Sequence, residues 1–272
     1  MPLTIIQTLF KPDGPLARHI DGFKARAPQL EMAEAVSRAI KQGGRLLVEA
    51  GTGTGKTYAY LVPAPNVEIQ QSAKPLQGLS PMQFGNHPYY GATLIFPVDD
   101  AREMIRFAPD SARYIRRFYG SKEFIDCAPR ACLWISDAES ESAKLIPQIA
   151  EKVEAVNRSR SAAVKDASAQ KLASTPWRFR EQLMAEKRTL IVPRVSSENR
   201  PYLPVGLLEP DCVVQEKAFA LYDAPLWNMA LIASRLHWVW IGTVCVRLEM
   251  RFSYSNTLGW NTFPVPTLTA QN

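Results

Sequence analysis

Thr189-Leu190-Ile191-Val192-Pro193-Arg194-Val195-Ser196-Ser197-Glu198-Asn199-Arg200-Pro201-Tyr202-Leu203-Pro204-Val205-Gly206 is the stretch from which the rest of the chain can be read. An apolar, β-rich run ends on Pro193, a polar segment follows, and a second short apolar run ends on Gly206. Runs of this kind, bounded by proline and by serine and asparagine clusters, read as two strands joined by a loop. The loop concentrates the groups that read base edges: arginine for guanine, asparagine for adenine, glutamate for the cytosine amine, serine for either. Arg194, Ser196, Ser197, Glu198 and Arg200 are therefore candidate DNA contacts. Glu198 and Arg200 stand two apart, so on extended backbone they point to one side. The competing reading is a capped surface turn closed by a Glu198–Arg200 ion pair.

Downstream, the pattern predicts a strand over Cys212–Leu221. A long helix over Leu226–Leu248 would carry Met229, Ala233, Leu236, Trp240, Val244 and Leu248 on one side. Upstream, Ala92–Phe96 and Cys132–Ser136 read as strands. Asp99 or Asp100 caps a helix running through Phe107. Pro109 starts another that closes at Gly120, which puts Arg113 and Arg117 on one helical face with Arg116 beside them. Ser142–Leu172 reads as helix, interrupted at Pro147, and carries Arg158, Arg160 and Lys165. Each basic group is either a phosphate clamp or part of a solvated helix face. The expected fold class is α+β: short strands and helices with a long C-terminal helix, preceded by an incomplete P-loop α/β segment.

The first 65 residues are different in kind. Pro28 opens a helix with Leu30, Ala33, Val36 and Ile40 at helical spacing. Arg45–Glu49 reads as a short buried strand. It leads into Ala50-Gly51-Thr52-Gly53-Thr54-Gly55-Lys56-Thr57, a phosphate-binding loop with alanine in place of the first glycine. Glycines let backbone N–H groups cradle phosphates, Lys56 would reach the outer phosphates, and Thr57 would ligate Mg²⁺. One helix and one strand are too little to complete a nucleotide-binding sheet. Asn66–Pro81 reads as a polar connector.

The chain of 272 residues carries a net charge of +6 and a hydrophobic fraction of 46%, which suits a globular protein with a polyanionic partner. Neither side of Pro65 holds the excess alone: 8 basic residues stand against 5 acidic before it and 24 against 21 after it. Four cysteines give no disulfide framework, so a reduced cytoplasmic location is expected. No leader is expected, because no basic region followed by a long apolar stretch opens the sequence, and no membrane span is expected, because Arg235 and His237 interrupt the most apolar segment. Cys127-x4-Cys132 reads as core cysteine rather than as half a metal site, and no metal ligand set is assigned. Asn86-His87-Pro88-Tyr89 imitates the Asn-Pro-Pro-Tyr motif that holds a flipped base. His87 breaks the pattern, and a turn is the simpler reading.

Two resemblances accompany these readings. Pro75–Ser80 with Met82–Asn86, Tyr114–Phe118, Cys132–Trp134, Thr175–Trp177, Pro193–Tyr202, Tyr254–Asn256 and Asn261–Pro266 occur in one order. Together they resemble the target-recognition and C-terminal part of MmeI-like DNA methyltransferases of restriction-modification systems. The segment from Asp13 to Leu61, including Pro28-Gln29 and the phosphate loop, resembles the start of DinG/YoaA-type DNA helicases. There Gln29 would belong to the element that reads adenine. The expected organisation is a helicase-like nucleotide-binding segment over 1–65, a connector over 66–81, a target-recognition domain over 82–206 and a C-terminal region over 207–268. The first resemblance implies double-stranded DNA as partner, with S-adenosylmethionine and adenine-N6 transfer residing in a methyltransferase domain that this sequence does not contain. Such a domain or subunit would act in trans. The expectation is DNA binding with no complete catalytic site and no cofactor assigned to this chain. The alternatives are an ATP- and Mg²⁺-binding helicase fragment at Gln29 and Gly51–Thr57, or a non-functional fusion product.

Overall fold

The computed structural model describes residues 3–20, 22–42, 46, 48, 59, 69–76, 78–197, 199–248 and 251–265. The chain divides into two compact units, Met1–Glu68 and Ile69–Asn272.

In the first unit, helices form over Leu3–Leu9, Pro15–His19 and Ala27–Gln42. Pro28 lies in the first turn of the last, where its missing N–H costs nothing. Ile6, Phe10 and Ala33 are buried, with Leu16, Phe23 and Leu30 packed against them. The buried ridge of the long helix is Gln29, Ala33 and Ser37, so Ile40, expected inside, is exposed. The strand expected at Arg45–Glu49 is corrected at its two described residues: Leu46 and Val48 are exposed and join no ladder. The phosphate-loop residues Gly51, Thr52, Gly53, Thr54, Gly55, Lys56 and Thr57 lie outside the described residues.

The second unit mixes helices and sheets, an α+β arrangement. Its strands are β1 (Gln83–Phe84), β2 (Ile95–Phe96), β3 (Ile115–Tyr119), β4 (Arg130–Leu133), β5 (Thr189–Pro193), β6 (Val195–Ser197), β7 (Gly206–Leu208), β8 (Val213–Val214), β9 (Ala218–Tyr222), β10 (Arg247–Leu248) and β11 (Arg251–Ser253). They form three sheets in the orders β1-β9-β5-β7, β2-β4-β3-β8 and β10-β11-β6. The apolar run at Thr189–Pro193 is continuous because both faces of β5 are covered. Leu190 and Val192 face a large core with Phe219, Leu221, Ile232, Trp238, Ile241, Trp260 and Phe263, whereas Ile191 packs with Val214, Ala218 and Ala220 on the other face. A strand covered on both faces loses the polar alternation of a half-solvated one. The boundary expected at residue 206 falls on the first residue of β7, inside this sheet.

A second core lies between β2-β4-β3-β8 and the helices Val98–Phe107 and Pro147–Ala162. It includes Met104, Tyr114, Phe118, Leu133, Ile149, Val153 and Phe179.

Several sequence expectations change here. The strand expected over Cys212–Leu221 is two, β8 and β9, in different sheets, and the strand expected to end on Gly206 begins there as β7. The helix expected from Pro109 to Gly120 is a 3-10 segment, Pro109–Tyr114, followed by β3. Antiparallel pairing with β4 captures the β-branched and aromatic residues that follow Tyr114. Asp99 and Asp100 lie in the first turn of their helix, and Pro97 stands at its N-cap. The strand expected over Ala92–Phe96 begins only at Ile95, after a 3-10 turn. The long C-terminal helix is two helices, Trp227–Ile232 and Arg235–Val244. Ser234 breaks it: its side chain accepts the His237 N–H at 3.1 Å and caps the second helix. This turns Leu236 outward and His237, Trp238 and Ile241 inward. Finally, the described residues of the expected polar connector are tied to the unit. Ser72 N–H donates to the Thr257 carbonyl at 3.0 Å and Leu76 N–H to the Asn261 carbonyl at 3.0 Å, and Leu79 enters the large core.

His237 is fully buried among Tyr254, Trp260 and Phe263, with Nε2 at 3.0 Å from the Tyr254 hydroxyl. Burial pushes its pKa from 6.5 down to about 3. The folded state therefore keeps it neutral, while the unfolded chain takes up a proton below 6.5. Its contribution is complete above pH 6.5 and is lost as pH falls through 6.5 toward 3. At pH 5 the expected loss is about 2 kcal/mol. Urea midpoints at pH 7 and pH 5 check this, and a His237→Asn variant should lose most of that pH step. An unchanged wild-type midpoint would refute it.

Candidate functional site

After Pro193 the chain leaves one sheet for another. β5 pairs with β9, while β6, one residue later, pairs with β11 through Ser196↔Phe252. Arg194 occupies the bend between them. Its guanidinium lies 4.9 Å from the Phe84 ring centroid and 5.8 Å from that of Phe219, and Nη1 reaches the Glu216 carbonyl at 3.4 Å. Two aromatic faces thus hold a half-buried cation in one direction.

That bend forms one wall of a cleft of about 540 Å³ lined by Ser121, Lys122, Glu123, Arg130, Arg194, Val195, Gln215, Lys217 and Ser253. Four cations face one carboxylate. Glu123 is already engaged: it accepts the Gly120 N–H at 3.0 Å and pairs with Arg130 at 2.9 Å. The Arg130 guanidinium also sits 5.4 Å from the Phe118 ring. Lys122 and Lys217 are exposed. Ser121 ties the walls together, accepting the Arg194 N–H and donating to the Lys217 carbonyl. A cleft with net positive charge, hydroxyl donors and fixed guanidinium planes suits phosphate oxygens.

The structure places the sequence candidates unevenly. Arg194 lines the cleft. Ser196 is buried and faces inward, so the exposed turn expected over Arg194–Arg200 is corrected: Val195–Ser197 is a strand, and the open loop starts after it. Ser197 is half-buried and Arg200 is half-buried with its N–H on the Ser197 carbonyl at 3.3 Å. Glu198 lies outside the described residues. Arg113, Arg116 and Arg117 share no helical face. Arg113 donates to the Tyr114 hydroxyl and lies over that ring, Arg116 folds onto the carbonyls of Arg113 and Ile115 at 2.8 and 3.0 Å, and Arg117 pairs with Asp211 at 3.4 Å. Arg158 and Lys165 are exposed. Gln29 is buried in the first unit.

Arg160 is wholly buried and donates to five carbonyls, those of Pro88, Tyr89, Leu172, Thr175 and Arg178. Asn86 is also buried, its amide satisfied by the Leu183 N–H and the carbonyls of Leu183 and Val214. Asn86-His87-Pro88-Tyr89 is therefore a braced turn. Cys132 is buried in β4, whereas Cys127 is exposed. Lys122, Arg130 and Lys217 were invisible as a group, because they come from three segments and share no spacing. S-adenosylmethionine calls for a glycine-rich turn between a strand and a helix. β3 leads through Gly120 alone into the five-residue helix Ser121–Ile125, and β8, parallel to it, leads directly into β9, so no glycine-rich strand-to-helix turn stands among the described strands.

Residues 63–267 match the family model described as the MmeI target recognition domain. DNA methyltransferase A of Bacillus subtilis (strain 168) is 34% identical over 212 residues, which cover 78% of this chain and 24% of that protein. The solved structure of the Type IIL restriction-modification enzyme MmeI in complex with DNA superposes with a TM-score of 0.71 at 28% identity, over 78% of this chain and 28% of that one. The chain thus spans about a quarter of the length of these relatives. ATP-dependent DNA helicase YoaA of Escherichia coli (strain K12) is 58% identical over 72 residues, 25% of this chain and 11% of that helicase. Among the described residues no helix is long and apolar enough to cross a membrane.

Proposed function

The chain belongs to the family of MmeI target recognition domains, and we propose that its second unit binds double-stranded DNA as the recognition portion of a restriction-modification DNA methyltransferase. The observation that carries this is the cleft whose cations, Lys122, Arg130, Arg194 and Lys217, stand on four separate segments of one fold. Methyl transfer to adenine would come from a methyltransferase domain or subunit acting with it. In this reading the cleft holds the sugar–phosphate backbone. Arg200, in the loop that leaves β6, reads base edges together with Glu198. Arg113, Arg116, Arg117, Arg158, Lys165 and Ser197 are further candidate contacts.

The test is fluorescence anisotropy of the chain on short duplexes across a salt series. Wild type should bind, with log Kd rising steeply with salt because counterions are released. Lys122→Ala combined with Lys217→Ala should weaken binding to all sequences alike and flatten the slope by about 2, since each exposed lysine accounts for about one phosphate contact. Both side chains are exposed, so thermal stability should stay unchanged. No duplex binding by wild type at low salt would sink the reading, and an unaltered slope in the double variant would remove the cleft from it.

A further inference from the structure

Two neighbouring tyrosines adopt backbone conformations that side chains rarely take. Tyr89 has φ of 43° and Tyr90 of 62°, both left-handed. Such residues persist only where the surroundings over-determine them, and they concentrate where a protein presents a group to a ligand.

Here the surroundings are visible. Arg160 donates through Nε to the Tyr89 carbonyl at 3.0 Å and through Nη2 to the Pro88 carbonyl at 3.1 Å. The Tyr89 N–H donates to His87 Nδ1 at 2.8 Å, and its hydroxyl donates to Asp166 at 2.9 Å. The His87 N–H donates to Glu181 and its carbonyl accepts the Arg180 N–H. Residues 86–89 are thus tied on every side. What this bracing delivers to the surface is Tyr90, 49% exposed, whose ring meets Tyr89 edge-on at 5.6 Å.

Tyr90 lines a shallow hollow of about 460 Å³ with Ala162, Ala163, Val164, Lys165 and Asp166. Val164 is 80% exposed and Lys165 is exposed. Asp166 does not present a free carboxylate there. It accepts from the Ala169 N–H at 3.0 Å, from the Tyr89 hydroxyl and from the Ser168 N–H, with a smaller contribution from the Tyr90 side chain, and these bonds hold it below the usual carboxylate range. An aromatic ring, an aliphatic side chain and a cation share one shallow surface, and neither apolar group contributes to a core. This is the composition of a wedge that packs against an opened base step while a cation reaches the phosphates.

We propose that Tyr90, flanked by Val164 and Lys165, is a DNA-contacting wedge whose ring packs against an opened base step of the bound duplex. The inference rests on the DNA-binding reading above and adds to it a non-ionic contact on a surface separate from the cation-lined cleft.

Salt dependence separates the two kinds of contact. In anisotropy titrations of the full chain on mixed-sequence duplexes, Tyr90→Ala should weaken binding about tenfold at every salt concentration with the slope unchanged. Tyr90→Trp should retain binding. Lys165→Met should flatten the slope by about 1. Tyr90→Gly controls for structure: glycine adopts the left-handed conformation without the steric cost of a Cβ, so thermal stability should hold or rise while binding falls as in Tyr90→Ala. If wild type binds and the tyrosine variants bind equally well, the wedge is refuted while the DNA-binding reading stands. The wedge is also refuted if Tyr90→Gly loses binding only in proportion to lost stability. If wild type fails to bind any duplex, the functional reading itself fails, and this inference with it.

Discussion

Replacing Arg160 with methionine should cost the second unit about 3–5 kcal/mol of stability, the range seen when one partner of a buried charged network is removed. The guanidinium is wholly buried, and burial lowers its pKa only to about 10, so it remains charged at neutral pH. The described structure gives it no carboxylate within ion-pair distance. Its charge is offset by the five carbonyls that it bonds, from Pro88, Tyr89, Leu172, Thr175 and Arg178, at 2.6–3.1 Å. Methionine fills much of the same volume and supplies no donors. Five partly buried acceptors would then lose a partner, each loss worth up to about 1–3 kcal/mol and not additive. Lysine should recover only part of this, because an ammonium cannot reproduce the planar fork that reaches two loops at once. Urea unfolding followed by circular dichroism measures both variants. The account fails if Arg160→Lys unfolds within about 1 kcal/mol of wild type, since the planar fork would then be dispensable.

Truncating Trp260 should be of similar size, about 3–5 kcal/mol. Trp260 is fully buried and is the largest such side chain among the described residues. It ends the π-helical turn Asn256–Trp260, and its indole N–H donates to the Ser80 carbonyl at 2.8 Å. Asn261, next in sequence, donates to the Ser72 carbonyl at 2.8 Å, and Asn256 donates to the Met82 carbonyl at 2.9 Å. One turn near the C-terminal end of the unit therefore holds the strap of residues 72–82. Trp260→Ala would open a cavity under that strap as well as remove a donor. The expected signature is proteolysis within residues 69–80 at protease levels that leave wild type intact. Trp260→Phe keeps most of the volume and should cost less, about 1–2 kcal/mol for the orphaned carbonyl and the smaller ring. Equal resistance of the strap in wild type and Trp260→Ala would show that other contacts hold it.

Arg158 and Arg160 show how far sequence reading reaches. Both belong to one basic helical segment, and residue type does not distinguish them. Two residues along a helix is a rotation of roughly 200°, so one faces water and the other faces the loops packed on the opposite side. Arg158 is exposed and Arg160 is wholly buried. Which one goes inward depends on where Pro88, Tyr89 and Thr175 lie in space, and no local pattern carries that information.

Much of the fold was legible because its signals are local. The apolar run at Thr189–Pro193 requires a strand covered on both faces, Pro28 marks a helix start, and Ser142–Leu172 has helical character broken where Pro147 opens the next helix. The ordered motifs from Pro75 to Pro266 identified the family, because side-chain identities at many separated positions are set by one shared structure. Pairing partners decided the rest. Ile115–Tyr119 became a strand because Arg130–Leu133 lies alongside it, overriding a helix start at Pro109. Ser234 competed for the His237 N–H and split one helix into two. The bend at Arg194 sends β6 to β11, a partner more than fifty residues away in sequence, so the stretch read as an open turn is half strand. The cation-lined cleft exists only where those long-range pairings bring Lys122, Arg130, Arg194 and Lys217 together. Local patterns determined many of the elements and the ordered motifs the family of this chain, whereas the pairing of its strands and the positions of its charges, buried at Arg160 and gathered around Arg194, were set by contacts that close only in the folded state.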